Sequence, residues 1–469
     1  MKKIFGIFIL IIFTFFATKT QTFAITDFTG VSDGTELSIE DCVQIGLSND
    51  PNITKYENYI KVAKSLIGQT KSAYFPTLGL TTGYFVQTNS EPRDTTKYYG
   101  LNLNANQLIW DFGKTQAKLN MNKYNLQAAK YDLDNAVLER TYKVKSAYYD
   151  TLRSIAKRYI AERSVKINEL HVERTKALYY EGLKSRIDLV NAEVYLTESK
   201  IALEDAISSF YISLVILNGE MYCKNPPMYG FKMPGGFEIR NDYLLSFKDA
   251  EKFSTEANGD GELLTTGIKV INILEDYPYK MYEKPLKECL EDAENNNPSL
   301  LSLRLAEKAS EESLKSVKRM YFPEITGTVG YTHRNTHVLI NNGFSANASF
   351  DLGSVNIMNV KTKIDEAKAL VEIAKCNRDI RSTDLHFKVR DAYGNLLKFV
   401  SLVPLRKEKV AQTLENFKLA DGRYTVGTGN FIELQEAHNN YNEAQLEYVD
   451  TIFDYNMALL DLSYAMGDK

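Results

Sequence analysis

Five histidines and four cysteines carry this chain's capacity for metal ligation or nucleophilic work, and their spacing builds neither. His171, His333, His337, His386 and His438 form no metal-ligand constellation. His333 and His337 fall in a loop between two strands, where plain surface exposure is expected. Cys42, Cys223, Cys289 and Cys376 form no C-x-x-C pair. Cys42 and Cys289 hold equivalent places in an internal repeat, which suits buried small hydrophobes and leaves a disulfide open. No P-loop, G-x-S-x-G or H-E-x-x-H pattern is present. An enzyme, a cofactor and a bound metal are therefore all unexpected. The formal net charge of −4 likewise gives nucleic acid nothing to grip, since such binding needs concentrated Lys and Arg.

The absence of chemistry turns attention to the elements. Tyr74-Phe75-Pro76 returns as Tyr321-Phe322-Pro323, and Cys42 and Pro51 return at the same offset as Cys289 and Pro298. Gly83-Tyr84 returns as Gly330-Tyr331, Asp111-x-Gly113 as Asp351-x-Gly353, and Tyr179-x-x-Gly182 as Tyr424-x-x-Gly427. A repeat at this scale is one supersecondary unit stacked on its copy. Two copies are expected, at 25–219 and 285–469, joined by an irregular belt or linker over 220–284 that is punctuated by Pro226-Pro227 and Pro234-Gly235-Gly236.

Between Gly113 and Gly182 lie 68 residues without glycine or proline. At 1.5 Å per residue an unbroken helix here spans about 100 Å, so it must be a coiled coil or a strut. Its counterpart contains Gly394 and Pro404, and a kink is expected near Pro404. The returning helices carry heptad stripes, Leu203, Ile207, Phe210, Leu214 and Leu217, and Tyr448, Ile452, Tyr455, Leu459 and Leu462. Each copy also holds a hairpin, about 76–110 and about 323–351, in which apolar and small polar residues alternate. Phe344, for example, precedes Ser345-Ala346-Asn347-Ala348-Ser349-Phe350. Strands of roughly ten residues with two unlike faces suit a membrane barrel.

Four strands cannot close such a barrel, which begins at about eight, and open edges cannot face lipid. Several chains must pool their strands, and three chains give twelve. An export signal fits this picture. Lys2 and Lys3 precede an apolar run, Thr22-Phe23-Ala24 offers a cleavage site, and residues 1–24 read as a signal peptide. Losing Lys2, Lys3 and Lys19 takes the net charge from −4 to −7. No later run is long and uninterrupted enough for a spanning helix.

Together these features resemble the TolC-type outer-membrane efflux protein family. The carriers are the two Tyr-Phe-Pro motifs, Trp110-Asp111-Phe112-Gly113 with Phe350-Asp351-Leu352-Gly353, and Tyr424-x-x-Gly427-Thr428 followed by Phe431-Ile432-Glu433-Leu434-x-Glu436-Ala437. The resemblance implies a mixed α+β fold dominated by long helices. It implies a homotrimer with a helical tunnel across the periplasm, topped by a twelve-stranded barrel in outer-membrane lipid, four strands per chain. It implies a passive exit duct of a tripartite efflux pump or type I secretion system, served by a periplasmic adaptor and an inner-membrane pump or ABC transporter. Helices 39–73 and 286–320 would complete the tunnel wall.

The family closes its periplasmic end with an acidic ring and linking polar contacts. By resemblance Glu433 and Glu436 form the ring, Asp188 lies nearby, and Tyr424 supplies a linking hydroxyl. Gly429 stands where many members carry an arginine, and Lys184 and Arg186 would supply the missing charge. Apart from the resemblance, His438 lies two residues beyond Glu436, near enough in sequence to be considered for the opening but not counted among its residues. The alternative reading is a structural or surface coiled-coil protein without transport.

Overall fold

The computed structural model describes residues 35–89, 94–224, 226, 229–231, 282–336, 340–351 and 357–468. The expected signal peptide and most of the 220–284 segment lie outside them. Two strands, β1 (Thr35–Leu37) and β4 (Tyr229–Phe231), pair in parallel and belong to a small separate unit.

The larger unit carries both repeats. In the first, α1 (Ile39–Asn49) and α2 (Pro51–Ser72) lead into β2 (Thr77–Asn89) and β3 (Asp94–Trp110), then α3 (Lys114–Tyr180) and α4 (Arg186–Glu220). In the second, α5 (Leu286–Asn296) and α6 (Pro298–Lys318) lead into β5 (Glu324–Thr336) and β6 (Ile340–Asp351), then α7 (Ile357–Thr425) and α8 (Phe431–Met466). The single wall helix expected over 39–73, and again over 286–320, is in each case two helices. Pro51 and Pro298 begin the second of each pair, where a missing N–H costs nothing. Asp50 and Asn297 cap them, accepting from Asn52 N at 2.7 Å and Leu300 N at 3.3 Å.

Asp50 does more than cap. Arg140 of α3, itself buried, donates to Asp50 and to Glu220, each at 2.6 Å, and to the Tyr222 hydroxyl at 3.0 Å. In the second repeat the matching positions are Asn297 and Leu385, and an apolar core takes the place of the charges. There Leu385, Val389, Leu396 and Val403 of α7 pack on Tyr448, Ile452, Tyr455 and Leu462 of α8.

The long helices fold as two hairpins, α3 with α4 and α7 with α8, joined along a seam between α3 and α8. Leu203, Phe210, Leu214 and Leu217 of the α4 stripe are buried. Against the expectation of no spanning helix, Arg186–Glu220 is long and apolar enough by length and composition. It lies along α3, which takes up that stripe. α7 continues through Gly394 and Pro404 to Thr425. Pro404 sits on the exposed side beside the buried Val403, and packing along the 69-residue helix outweighs a local proline cost of about 3 kcal/mol.

The two hairpins join in one antiparallel sheet, ordered β2-β3-β5-β6. Its strands hold 13, 17, 13 and 12 residues, longer than the ten expected, because the ladder runs on past the clear alternation into polar ends such as Gln87-Thr88-Asn89. The register sorts the faces. Leu80 lies level with Leu103, Leu103 with Tyr331, and Tyr331 with Phe344. On the other face Thr81, Asn102, Thr332 and Gly343 form the matching row. The apolar face is bare: Leu78 and Phe344 are 78% and 74% exposed. His333, expected in a loop, is inside β5, its Nδ1 2.5 Å from Asn342 Oδ1. His337 lies outside the described residues.

At the sheet's helix end, Asp111 accepts from Gly113 N at 3.0 Å and Thr115 N at 2.6 Å, which starts α3. Phe112 stacks on Phe322 at 5.2 Å and meets Trp110 edge-on at 6.2 Å, with Phe75, Trp110 and Phe322 more than half exposed. The second Tyr-Phe-Pro motif and the Trp-Asp-Phe-Gly motif thus share one aromatic cluster at the junction of sheet and helices.

Candidate functional site: the helical tip

The site lies where α3 turns into α4 and α7 into α8. Gly182 (φ 75°) and Gly427 (φ 78°) make both turns in the left-handed region, where a side chain would be strained. Each returning helix is then capped. Ser185 accepts from Asp188 N at 3.3 Å, Asp188 accepts from the Ser185 hydroxyl at 2.8 Å, and Asn430 accepts from Ile432 N at 3.2 Å.

Tyr424 anchors the tip. It is fully buried among Ala192, Ala420, Phe431, Leu434 and Ala437, and its hydroxyl shares a 2.8 Å hydrogen bond with Thr175 of α3. Burial pushes its phenol above the ordinary value, and the charge of Asp188 adds to this. Lys184 reaches across from the other turn. Its Nζ lies 4.6 Å from the Tyr424 ring centroid and donates to the Gly429 carbonyl at 3.4 Å. Gly429 has a steric reason to be glycine: a Cβ there would sit 2.8 Å from Tyr424 N and 2.9 Å from Arg423 C. An arginine at that position would collide with the preceding helix end.

The remaining expected residues are less engaged with one another. Arg186 is exposed at the first position of α4, with no ion pair among the described residues. Asp188 is committed to its own helix start. Glu433, half-buried, pairs with the exposed Arg423 across the turn, and Glu436 is exposed one turn further on. Two carboxylates on an open helix end can attract and screen cations. His438, considered for the opening, faces inward and is fully buried, with ring centroid 6.2 Å from that of His171. Among the described residues no three His, Cys, Asp or Glu side chains are grouped to hold a metal ion.

Three contributors escaped the sequence reading. Arg174 of α3 donates to Asp421 at 2.8 Å and to Thr425 at 2.9 Å, Thr175 holds Tyr424, and Arg423 holds Glu433. A signal existed for the arginines. At the 245-residue offset Arg174 matches Leu419 and Arg423 matches Leu178, so both are charges without a repeat partner.

With this geometry in view, the comparisons are direct. The chain is 18% identical over 437 residues to the outer membrane protein TolC of Vibrio cholerae serotype O1, covering 89% of this chain and 88% of that one. It is 25% identical over 166 residues to the alkaline protease secretion protein AprF of Pseudomonas aeruginosa, about a third of each chain (34%). In structure it is similar to the open state of the Neisseria gonorrhoeae MtrE outer membrane channel, with TM-score 0.71 at 15% identity over 94% of each chain. The family model for outer membrane efflux proteins matches residues 43–218 and 289–468, one match in each repeat, and the chain belongs to that family: it is an outer-membrane exit duct and not an enzyme.

Proposed function

We propose that three copies of this chain assemble as a homotrimer, pooling their sheets into a twelve-stranded barrel in outer-membrane lipid and their long helices into a periplasmic tunnel. One observation carries the reading. The sheet has a bare apolar face, a face of Thr, Asn, Ser and Gly, and two outer strands, β2 and β6, each paired on one side only. An apolar face fits lipid, a small polar face fits a water-filled lumen, and unpaired edges fit the neighbouring copies. The exposed aromatics around Trp110 and Phe322 fit the membrane–water boundary. In this assembly residues 25–219 and 285–469 are the two repeats.

The tip is then the periplasmic gate. Tyr424, Lys184 and the Arg174–Asp421 pair hold it closed, while Glu433 and Glu436 from three chains line the opening. Cargo reaches it from an inner-membrane pump or ABC transporter through a periplasmic adaptor, as part of a tripartite efflux or type I secretion system. Native mass spectrometry in detergent tests the assembly. A trimer is expected, and a stable monomer would overturn the pooled barrel.

A further inference from the structure

The seam between the repeats holds a buried cluster that the tip contacts do not use. His171 of α3 and His438 of α8 face each other, 5% and 0% exposed. Phe417 of α7 packs on both rings, with centroids 5.1 Å from His438 and 6.4 Å from His171. Neither nitrogen of His171 has a hydrogen-bond partner among the described residues, nor has Nδ1 of His438. Nε2 of His438 lies 3.2 Å from the Asn442 amide nitrogen, which also donates to Ser164 at 3.0 Å. With Asn442 as donor, Nε2 accepts, and the neutral ring carries its proton on Nδ1. The pair occurs once. The positions 245 residues away hold Asn416 and Glu193.

This is a poor place for a positive charge. From α3, Arg174 bears on His171, and Arg163 and His171 itself bear on His438. α7 offers one carboxylate, Asp421, already committed to Arg174 at 2.8 Å. α4 contributes no charge that bears on either ring. A proton on one imidazole must either be expelled or bring water into the seam.

We propose that His171 and His438 form a proton-operated latch between the two repeats. While both are neutral they hold α3 against α8, and protonation of either ring parts the seam and loosens the tip. The role of the tip as a gate rests on the reading above, whereas the response of the seam to protons can be measured without it. Burial lowers the pKa of both imidazoles. For His438, His171 and Arg163 add to the effect and the value falls to about 4; for His171, Asp421 opposes the lowering. The closed seam therefore binds fewer protons than the parted one. Its advantage is complete above the ordinary histidine value of 6.5 and drains away as pH falls from there toward about 4. Through His438 alone, going from pH 7.5 to 4.5 shifts the parted-to-closed ratio on the order of 70-fold.

Hydrogen–deuterium exchange of the purified full-length protein in detergent reads this directly, with intrinsic rates corrected for pH. Peptides across 160–180 and 415–445 should gain tens-fold faster exchange at pH 4.5, while peptides across 286–320 should not. The H171Q/H438Q double variant, polar but unable to titrate in this range, should lose the pH response. An equal response in that variant, or no response confined to those peptides in the unsubstituted protein, overturns the latch. If the double variant fails to fold, H438Q, which removes the ring credited with the tens-fold shift, serves instead and should lose most of the response. A full response in H438Q overturns the proposal. An intact exchange response in a protein that forms no pore would sink the duct reading and spare the latch.

Discussion

Replacing Lys184 by methionine isolates the contact that bridges the two turns of the tip. Methionine keeps an apolar stem over the Tyr424 ring and deletes the charge, whose nitrogen lies 4.6 Å from the ring centroid and 3.4 Å from the Gly429 carbonyl oxygen. A partly solvated cation–π contact contributes about 0.5–1 kcal/mol. A hydrogen bond at the long limit of the range adds about 0.5 kcal/mol, since such interactions weaken with distance. The loss is then about 1 kcal/mol per chain. If three chains open together, about 3 kcal/mol is lost from the closed state, and at about 1.4 kcal/mol per tenfold the open probability rises about 100-fold. Single-channel recording in planar bilayers measures that probability. Arg186→Met is the control, because Arg186 is exposed and makes no ion pair among the described residues. An unchanged Lys184→Met channel beside an opened Arg186→Met channel would refute the assignment of Lys184 as the bridging charge.

Other outcomes follow from the same contacts. Arg140→Ala strands the buried carboxylate of Asp50, so it should cost about 3–5 kcal/mol in denaturant unfolding. Arg140→Leu combined with Asp50→Asn, copying Leu385 and Asn297 of the second repeat, should recover most of that loss. Ala147→Pro places a ring inside α3 at a buried position and should cost about 3 kcal/mol or more, read as loss of export and a lower melting temperature. Glu433→Gln with Glu436→Gln should change stability by less than about 1 kcal/mol, because both side chains are substantially exposed. It should nonetheless weaken block by divalent cations added from the tip side.

Most of the architecture was legible because it is written in local signals. Gly113 opens α3, Gly182 and Gly427 turn the chain out of α3 and α7 by their backbone freedom, and alternation in Leu78, Leu80 and Tyr84 declares a two-faced strand. The break before Pro51 and Pro298 was also legible, since a proline after Asp or Asn marks a helix start, but the long helical pattern on either side obscured it. What the chain does not declare locally is pairing across the seam. His171 and His438 are 267 positions apart in different repeats, and no periodicity links them. The need for glycine at 429 arises from the backbone of Arg423 and Tyr424 folding back upon it, a closeness that only the completed turn creates. The burial of His438 shows the same limit: its proximity to Glu436 in sequence suggested a place at the opening, while the helix turns it to the opposite side.

If copies of this chain pool their two-faced sheets into a pore, the purified mature protein must conduct in a planar bilayer. Discrete, small, cation-selective steps are expected, and their block by divalent cations should depend on Glu433 and Glu436. Protein that purifies as a folded trimer and yields no conductance at any voltage or pH would contradict the pooled pore, and would favour a coiled-coil structural protein instead.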